Sequence, residues 1–322
     1  MVYIVVLNWN GWQDTLACLE SLYQLNTENF KVVVCDNGSR DNSVDEIKQW
    51  HKVNGQASKS IEDIFELSPK LIHQPLKAQK KDLIVIKSGQ NLGYAGGNNL
   101  ALTFSLAQDD MEHVWILNND TEVDPEALNQ LEMLSNKNAG LSIVGSTLVY
   151  FSQRSTLQGI GGRYNYWLGS SSHVLGHSPV GTDATGQLVD YPIGASMFIP
   201  RSCLGSVGLL SEDYFLYYEE LDYVNRACEQ GYFVDIATNS IVYHKEGASI
   251  AKSVLSDFYF IRNKFIIAYK FKPVSLPVLL LMLPLWGANR LRRREYKKAI
   301  NCFNAFGSFL TWVFVKKANK KL

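Results

Sequence analysis

Short apolar runs alternate with amphipathic segments through the first half of the chain. The apolar runs each stop at polar residues, and the segments between them carry apolar residues at helical spacing. The predicted strands are 2–7, 30–35, 83–87 and 114–117, and the predicted helices are 14–25, 43–51, 100–108 and 125–135. Strands that alternate with helices are typical of βαβ units, so this half predicts a parallel sheet flanked by helices.

The second half has a less regular pattern. Residues 141–150 alternate like a strand, 219–230 predict a helix that ends at Gly231, and 233–237 and 240–243 predict short strands. Two stretches, 52–81 and 159–172, lack a clear period. We expect the first to be an inserted excursion and the second a loop.

The C-terminal part alternates apolar and basic segments. A helix is predicted at 257–269, the runs 273–288 and 305–315 are apolar, and Arg and Lys follow each run. The first run is shorter than the roughly 20 residues that a membrane-spanning helix needs. Three interpretations remain open: a helix lying in an anionic membrane surface, a helical pair packed against the rest of the protein, or a true span.

Composition narrows the class of protein. The 322 residues can form one large domain with an appendage, or two modest domains. A formal net charge of zero argues against a nucleic-acid partner. The five Cys are scattered without CxxC spacing, which favours buried thiols in a reducing compartment. Residues 2–7 lack the features of a secretory leader, so we expect a cytoplasmic protein.

Polar residues follow four of the predicted strands, at 8–11, 36–39, 91–99 and 118–121. In a parallel sheet these loops meet at the edge where ligands bind. The amide and carboxylate oxygens of 118–120 suit a hard divalent cation that carries a diphosphate. The alternative is an Asx-rich turn that caps the helix beginning near Pro125.

Two further features of these loops have alternative explanations. Asp36 is a candidate hydrogen-bond acceptor for a base or ribose, or it caps its own turn. Glycines at 93, 96 and 97 allow close approach of the backbone to a ligand at a helix start, or they simply form a tight turn. Their spacing differs from the dinucleotide-binding fingerprint.

An ordered set of segments resembles the family-two glycosyltransferases, most closely the bacterial rhamnosyltransferase-type members. The segments are VVLNWNG (5–11), VVVCDNGSRDNS (32–43), NLGYAGGNN (91–99), WILNNDT (115–121), GASMFIPR (194–201), FLYYEELDYVNRACEQGY (215–232), VYHKEGAS (242–249) and YFIRN (259–263). The resemblance implies an α/β GT-A fold, with a Rossmann-like, mostly parallel sheet flanked by helices and a C-terminal helical appendage. It further implies a glycosyltransferase domain at 1–250, with a nucleotide-sugar half at 1–125 and an acceptor half at 126–250, before a helical region at 251–322.

The resemblance also implies roles for individual residues. Asp120 would hold a divalent cation, Mn²⁺ or Mg²⁺, and His244 would complete the metal site. Asn118 stands where many relatives have an acidic residue, which suggests modest metal affinity. The residues implied to bind the nucleotide-sugar donor are Asn8, Asn10, Asp36, Asn91, Gly93, Gly97, Asn98, Asn118, Asn119 and Arg262.

Catalysis is assigned by the same resemblance to the acidic pair that opens the helix at 219. Inverting transfer needs a carboxylate that takes the proton of the acceptor hydroxyl, and Glu220 stands at that position. Relatives usually carry Asp there. Glu219 and Asp222 would position the acceptor or the loop, and the helix start should favour ionised acids. Arg262 and Lys245 are candidates for stabilising the leaving diphosphate; Arg262 could instead anchor its helix.

The predicted function is inverting transfer of a sugar, such as rhamnose, from dTDP-rhamnose or a UDP-sugar. The acceptor would be a saccharide or lipid-linked saccharide of a cell-surface polysaccharide, and the enzyme would work at the inner face of the membrane. One alternative is a nucleotidyltransferase, although residues 8–12 lack the basic loop that this class favours. The other is an inactive sugar-nucleotide-binding module, against which the retained Asp120 and Glu220 argue.

Overall fold

The fold is built on one mixed β-sheet. The computed structural model describes residues 1–54, 64–75, 83–245 and 253–319. The strands are β1 (Val2–Asn8), β2 (Phe30–Asp36), β3 (Ile64–Leu67), β4 (Leu83–Lys87), β5 (His113–Asn118), β6 (Thr121–Val123), β7 (Ser142–Tyr150), β8 (Leu157–Gly159), β9 (Gly161–Asn165), β10 (Ser170–Val174), β11 (Ser196–Pro200) and β12 (Phe233–His244). The helices are α1 (Trp12–Leu22), α2 (Ser43–Asn54), α3 (Gly93–Leu106), α4 (Ala127–Lys137), α5 (Arg201–Val207), α6 (Glu219–Cys228), α7 (Val254–Phe271), α8 (Leu276–Arg292) and α9 (Tyr296–Asn319).

Ten strands of the described residues form this sheet, in the order β3-β4-β2-β1-β5-β11-β7-β12-β6, with β8 paired to β7. The five strands of the first half, β3-β4-β2-β1-β5, are parallel. β11 then runs antiparallel between β5 and β7. The predicted parallel sheet is confirmed for the first half, and the second half is mixed. β9 and β10 form a separate two-stranded sheet.

The central strands are mostly apolar, as expected of strands that are covered on both faces. Every residue of β2 is buried, and so is nearly every residue of β1. Cys18, Leu19 and Leu22 of α1 pack into the same core. The core therefore holds rigid the ends of the strands, where the polar loops begin.

A chain of buried hydrogen bonds crosses four neighbouring strands. The indole nitrogen Nε1 of Trp115 on β5 donates to Ser196 Oγ on β11 at 2.9 Å. Ser196 Oγ lies 2.7 Å from Ser146 Oγ on β7, which lies 3.0 Å from Ser240 Oγ on β12. This chain satisfies polar groups that would otherwise be costly inside the core.

Three predicted boundaries differ from the structure. α3 begins at Gly93 rather than at residue 100, because the side chain of Asn91 accepts the Gly93 amide at 2.8 Å and starts the helix early. The two short strands predicted at 233–243 are one strand, β12, with an irregularity between Ala237 and Ile241. Within the excursion predicted at 52–81, residues 64–67 form the edge strand β3; residues 55–63 and 76–82 lie outside the described residues.

The chain divides into two compact units. Unit 1 comprises residues 1–163, 173–212 and 219–246, and unit 2 comprises 164–172, 213–218 and 247–322. The division into 1–250 and 251–322 stays a prediction, as do the two halves of the first domain. Unit 1 carries the sheet, and unit 2 carries α7, α8 and α9.

Unit 2 is held by aromatic packing and buried ion pairs. Phe265 of α7 contacts Phe309 of α9 with ring centroids 5.5 Å apart. Asp257 of α7 accepts from Arg290 of α8 at 2.6 Å, with both side chains 15% exposed. Among the described residues, one helical segment, Pro273–Arg292, has the length and apolar composition to cross a membrane. It is therefore longer than the apolar run predicted from sequence.

Candidate active site

The ends of β1 and β2 form a hydrogen-bonded floor at the carboxyl edge of the sheet. Asn8 pairs with Asp36 in the parallel register, and its amide donates to Asp36 Oδ1 at 2.9 Å and to Ser39 Oγ at 3.1 Å. Thr15 Oγ1 donates to Asn8 Oδ1 at 2.8 Å. The polar atoms of buried Asn8 thus contact the protein, so Asn8 fixes the orientation of Asp36.

The loops after β1 and β2 are joined by Asn10. Its backbone φ is +50°, a left-handed conformation that Asn tolerates. Its side chain accepts the Arg40 amide at 2.7 Å, and its own amide donates to Ser39 Oγ at 3.0 Å. The two loops therefore act as one polar rim beside Asp36.

The loop after β4 is anchored by Asn37. Asn37 Oδ1 accepts the Leu92 amide at 2.9 Å, and its Nδ2 donates to Asn91 Oδ1 at 3.2 Å and to the Gly93 carbonyl at 3.0 Å. Sequence reasoning missed Asn37, although it lies inside the segment 32–43. Gly93, with φ of +75°, takes the left-handed conformation with which α3 begins.

Within α3, Gly97 is required for packing. A Cβ at this position would lie 2.4 Å from Leu7 Cδ1, so only glycine lets α3 lie this close to β1. Asn98 is fully buried and donates to the Tyr94 carbonyl at 3.0 Å, while its Oδ1 has no hydrogen-bond partner among the described residues. The same Cβ on Gly97 would lie 3.0 Å from Asn37 Cγ, so Gly97 also packs beside the loop after β2. The predicted roles of Gly97 and Asn98 in donor binding stay predictions.

The three residues of the segment 118–120 make different contacts. Asn119 donates to the Gly11 carbonyl at 3.3 Å and to Thr15 Oγ1 at 3.0 Å, which ties it to the start of α1. The backbone amide of Asn118 donates to the Ala195 carbonyl, and the Asn118 carbonyl accepts a hydrogen bond from Thr121 Oγ1. Asp120 alone presents a carboxylate, which lies 3.2 Å from His244 Nε2.

Asp120 and His244 bring a carboxylate oxygen and an imidazole nitrogen within 3.2 Å of each other, and both are donor atoms that bind divalent cations. Their side chains are 17% and 11% exposed, so the pair is reachable but largely shielded. In the part of the chain that the structure describes, no cluster of three or more His, Cys, Asp or Glu could hold a metal by itself. The pair could therefore supply two ligands of a cation, and its role as a metal site stays a prediction.

The acidic pair at the start of α6 has two different environments. Glu219 is 1% exposed, and its Oε1 has no hydrogen-bond partner among the described residues. Burial, followed by the neighbouring charge of Glu220, holds the pKa of Glu219 well above its usual value. At Glu219 desolvation thus opposes the ionised form that the helix start favours. Glu220 is partly exposed, as a group that meets an acceptor must be.

Tyr94 links the metal-ligand candidate to the acidic pair. Its hydroxyl donates to the Gly194 carbonyl at 2.8 Å. Burial raises the pKa of Tyr94 well above its usual value, and the charges of Glu219, Glu220 and Asp120 raise it further. The charges of these three carboxyls thus all act on the Tyr94 phenol. Sequence reasoning missed Tyr94, although it lies in the glycine-rich segment 91–99.

Three other predicted site residues make contacts within the protein. Asp222 is fully buried and accepts from Arg226 Nε at 2.7 Å. Lys245 pairs with Asp14 at 3.0 Å and Glu122 at 3.7 Å, toward α1 and β6.

Arg262, in unit 2, donates to the Asp213 carbonyl at 3.0 Å. Of its two predicted roles, this contact supports anchoring of α7, the helix that carries it.

Comparisons with known proteins agree with this site. Residues 3–65 match the model of glycosyl transferase family 2. The low-salt glycan biosynthesis hexosyltransferase Agl10 of Haloferax volcanii is 26% identical over 229 residues, which cover 70% of this chain and 60% of that protein. The chain thus matches somewhat under two thirds of the length of that relative.

Two solved structures share the fold. The mannosyltransferase PcManGT from Pyrobaculum calidifontis, in complex with GDP-Man and Mn²⁺, has a TM-score of 0.57 and 14% identity over 96% of this chain and 86% of its own. S. aureus TarS in complex with UDP-GlcNAc has a TM-score of 0.59 and 12% identity over 96% of this chain and 80% of its own. The family match over residues 3–65 and the curated relative support a family-two glycosyltransferase, and the fold shared with the solved structures is the GT-A fold.

Proposed function

We propose that this protein transfers a hexose from a nucleotide-diphosphate sugar to a saccharide acceptor. The observation that carries the proposal is the contact of Tyr94 with Gly194, which lies beside Glu220; the charges of Asp120 and Glu219 also act on the Tyr94 phenol, and transfer needs a donor-holding group and a base in one pocket. The family match and the relative named as a hexosyltransferase support the reaction class.

The donor would lie along the strand-end loops of unit 1. Asp36, oriented by Asn8, is the acceptor for a base or ribose. Asp120 and His244 would hold Mn²⁺ or Mg²⁺, which when bound neutralises charge on the leaving diphosphate. The fold neighbours contain GDP-Man and UDP-GlcNAc. We retain dTDP-rhamnose or a UDP-sugar as the donor because of the resemblance to rhamnosyltransferase-type members.

Glu220 would act as the base of an inverting reaction. The acceptor hydroxyl gives its proton to the Glu220 carboxylate while its oxygen forms a bond to the anomeric carbon. The bond between that carbon and the diphosphate breaks, and the diphosphate leaves with the electron pair. Burial raises the pKa of Glu219 and so favours its protonated form, which limits the negative charge beside the base.

One experiment tests the activity. Nucleotide sugars are screened for Mn²⁺-dependent thermal stabilisation, and turnover is then measured with Glu220→Gln and with Glu229→Gln, a control at an exposed position near the end of the same helix. We expect Glu220→Gln to keep donor binding and to lose about 10²- to 10⁴-fold in kcat, while the control keeps full turnover. Full turnover by Glu220→Gln would refute the mechanism, and no response to any nucleotide would point to a non-enzymatic module.

The acceptor is proposed to be lipid-linked, as in cell-surface polysaccharide synthesis, because unit 2 has an exposed apolar face on α8 and α9. We call it the α8–α9 face, and its residues are Pro277, Leu281, Leu285, Ala288 and Leu291 of α8 and Tyr296, Ile300, Phe303, Leu310 and Phe314 of α9. Leu281 is 74% exposed and Phe314 71%. Exposed basic residues at 292–294 and 297 lie between the two helices in sequence, which suits the anionic inner surface of a membrane.

Binding to vesicles tests this partner. The protein should sediment with vesicles containing phosphatidylglycerol and much less with pure phosphatidylcholine, since the basic residues need anionic headgroups. The double variant Leu281→Glu/Leu285→Glu should lose this binding, whereas Leu188→Glu, at a 71% exposed leucine of unit 1, should keep it. Equal binding by all variants, or none by the unaltered protein, would refute the membrane assignment. A concentration-dependent dimer would assign the face to a second copy.

A further inference from the structure

The imidazole of His244 is held between two acceptor oxygens. Its Nε2 lies 3.2 Å from Asp120 Oδ1, and its Nδ1 lies 2.8 Å from Gln158 Oε1. Gln158 is 4% exposed, so this contact is inside the protein. A neutral imidazole carries one N–H, so without a cation the proton can lie toward either acceptor. A cation held beside Asp120 would take the Nε2 lone pair, and the proton would then lie on Nδ1, toward Gln158.

Gln158 stands on a backbone that is fixed from both sides. It is the central residue of β8, which pairs with β7. On the other side, the Leu157 amide donates to the Ser178 carbonyl at 2.8 Å, and the His177 amide donates to the Leu157 carbonyl at 2.8 Å. The carbonyl of Gln158 lies 3.1 Å from His173 Nδ1. Because the strand is held on both edges, the amide keeps its position beside His244.

We propose that Gln158 is a positioning residue that sets the tautomer of His244. By accepting the Nδ1 proton, it leaves Nε2 free to bind a divalent cation together with Asp120. Partners of this kind orient metal-binding histidines in many proteins. The inference rests on the proposed function only in one respect, namely that the bound cation serves the nucleotide-sugar donor. An amide that turned its NH₂ group to His244 would place the ring proton on Nε2, where it would exclude the ion.

The test uses two substitutions at Gln158 and one control. Gln158→Met keeps the size of the side chain and removes the acceptor, whereas Gln158→Glu keeps an oxygen acceptor. Gln108→Met is the matched control, because Gln108 is 2% exposed and its amide donates to the carbonyls of Gln74 and Phe104, away from the candidate metal pair.

Two readouts that do not depend on turnover are measured. Long-range ¹H–¹⁵N NMR of the full-length protein saturated with diamagnetic Mg²⁺ reports the tautomer of His244, with the signal assigned by a His244→Gln variant. Electron paramagnetic resonance reports Mn²⁺ affinity. We expect the Nδ1–H form in the unaltered protein and a loss of about 10- to 100-fold in Mn²⁺ affinity in Gln158→Met. Gln158→Glu and Gln108→Met should keep the affinity, even where the control is less stable.

Two results would overturn the inference: an Nε2–H signal in the unaltered protein, or Mn²⁺ affinity in Gln158→Met equal to that of the control. If Gln158→Met fails to fold, the NMR signal of the unaltered protein still decides. Failure of the proposed function has a different signature. In that case Mn²⁺ affinity would fall in Gln158→Met as expected, while no nucleotide sugar would bind.

Discussion

The Asp222–Arg226 pair gives a prediction that separates a structural role from a catalytic one. Asp222 is fully buried, and Arg226 also donates to the carbonyls of Val207 and Leu209 at 2.8 and 2.9 Å. Arg226→Met removes the guanidinium and leaves a buried carboxylate without its counter-charge, which costs about 3–5 kcal/mol. Asp222→Asn keeps an acceptor and the two carbonyl contacts, so we expect a smaller loss of about 1–3 kcal/mol.

Urea denaturation measures these losses. With a slope near 3 kcal/mol per M, Arg226→Met should lower the midpoint by roughly 1 to 1.5 M. Arg40→Met, at an exposed arginine, is the control and should leave the midpoint nearly unchanged. The double variant Asp222→Asn/Arg226→Met should be at least about 1 kcal/mol more stable than the sum of the single losses predicts, because the two residues are in contact.

Turnover of the folded protein completes the argument. If Asp222 is structural, Asp222→Asn should keep the kcat of the unaltered protein at temperatures where it is folded. A stable Asp222→Asn variant with a kcat reduced as much as that of Glu220→Gln would refute the structural reasoning. So would an Arg226→Met variant no less stable than the Arg40→Met control.

Three further predictions concern the same unit. Burial raises the pKa of Glu219 above 4.5, so the folded protein loses stability as the pH rises from about 4.5 toward the raised value. Over that range the free energy of unfolding of Glu219→Gln should increase relative to that of the unaltered protein by up to about 1.4 kcal/mol per pH unit, as measured by urea titrations. Parallel curves of stability against pH for the two proteins would contradict this. Gly97→Ala places a Cβ 2.4 Å from a leucine methyl of β1 and should cost about 1–3 kcal/mol by thermal unfolding. Gly205→Ala, with open space around its Cβ, should cost nothing, and equal losses would refute the packing argument. Tyr94→Phe leaves the Gly194 carbonyl without its donor and should lower both stability, by about 1–3 kcal/mol, and kcat/KM; an unchanged kcat/KM would remove Tyr94 from the site.

The sequence predicted the features of this fold that depend on local pattern. Strand β4 was predicted at 83–87 and lies there, because a run of β-branched residues bounded by polar ones has few alternatives. The start of α3 could not be predicted, since it depends on hydrogen bonds that the Leu92 and Gly93 amides donate to the side chains of Asn37 and Asn91. β11 was not predicted to enter the sheet antiparallel, because strand order is set by contacts remote in sequence.

The candidate site shows the same limit. Asp120 and His244 were expected together only through the resemblance to a family, and the structure brings them to 3.2 Å. Gln158 lies 86 residues from His244 in the chain, with no local signal of a shared role. The raised pKa of Glu219 is caused mainly by burial, which the position at a helix start does not reveal. Side chains whose roles depend on three-dimensional neighbours were thus the ones missed or misjudged.

The hydrogen-bonded row that runs from Trp115 through Ser196 and Ser146 to Ser240 has one bond whose direction cannot reverse. An indole nitrogen can only donate, so Trp115 always donates to Ser196. Each serine hydroxyl can donate or accept, and the bonds of Ser146 to Ser196 and to Ser240 can therefore run in either direction. Trp115→Phe would remove the only member of the row that cannot act as an acceptor, and Ser196 would lose that donor.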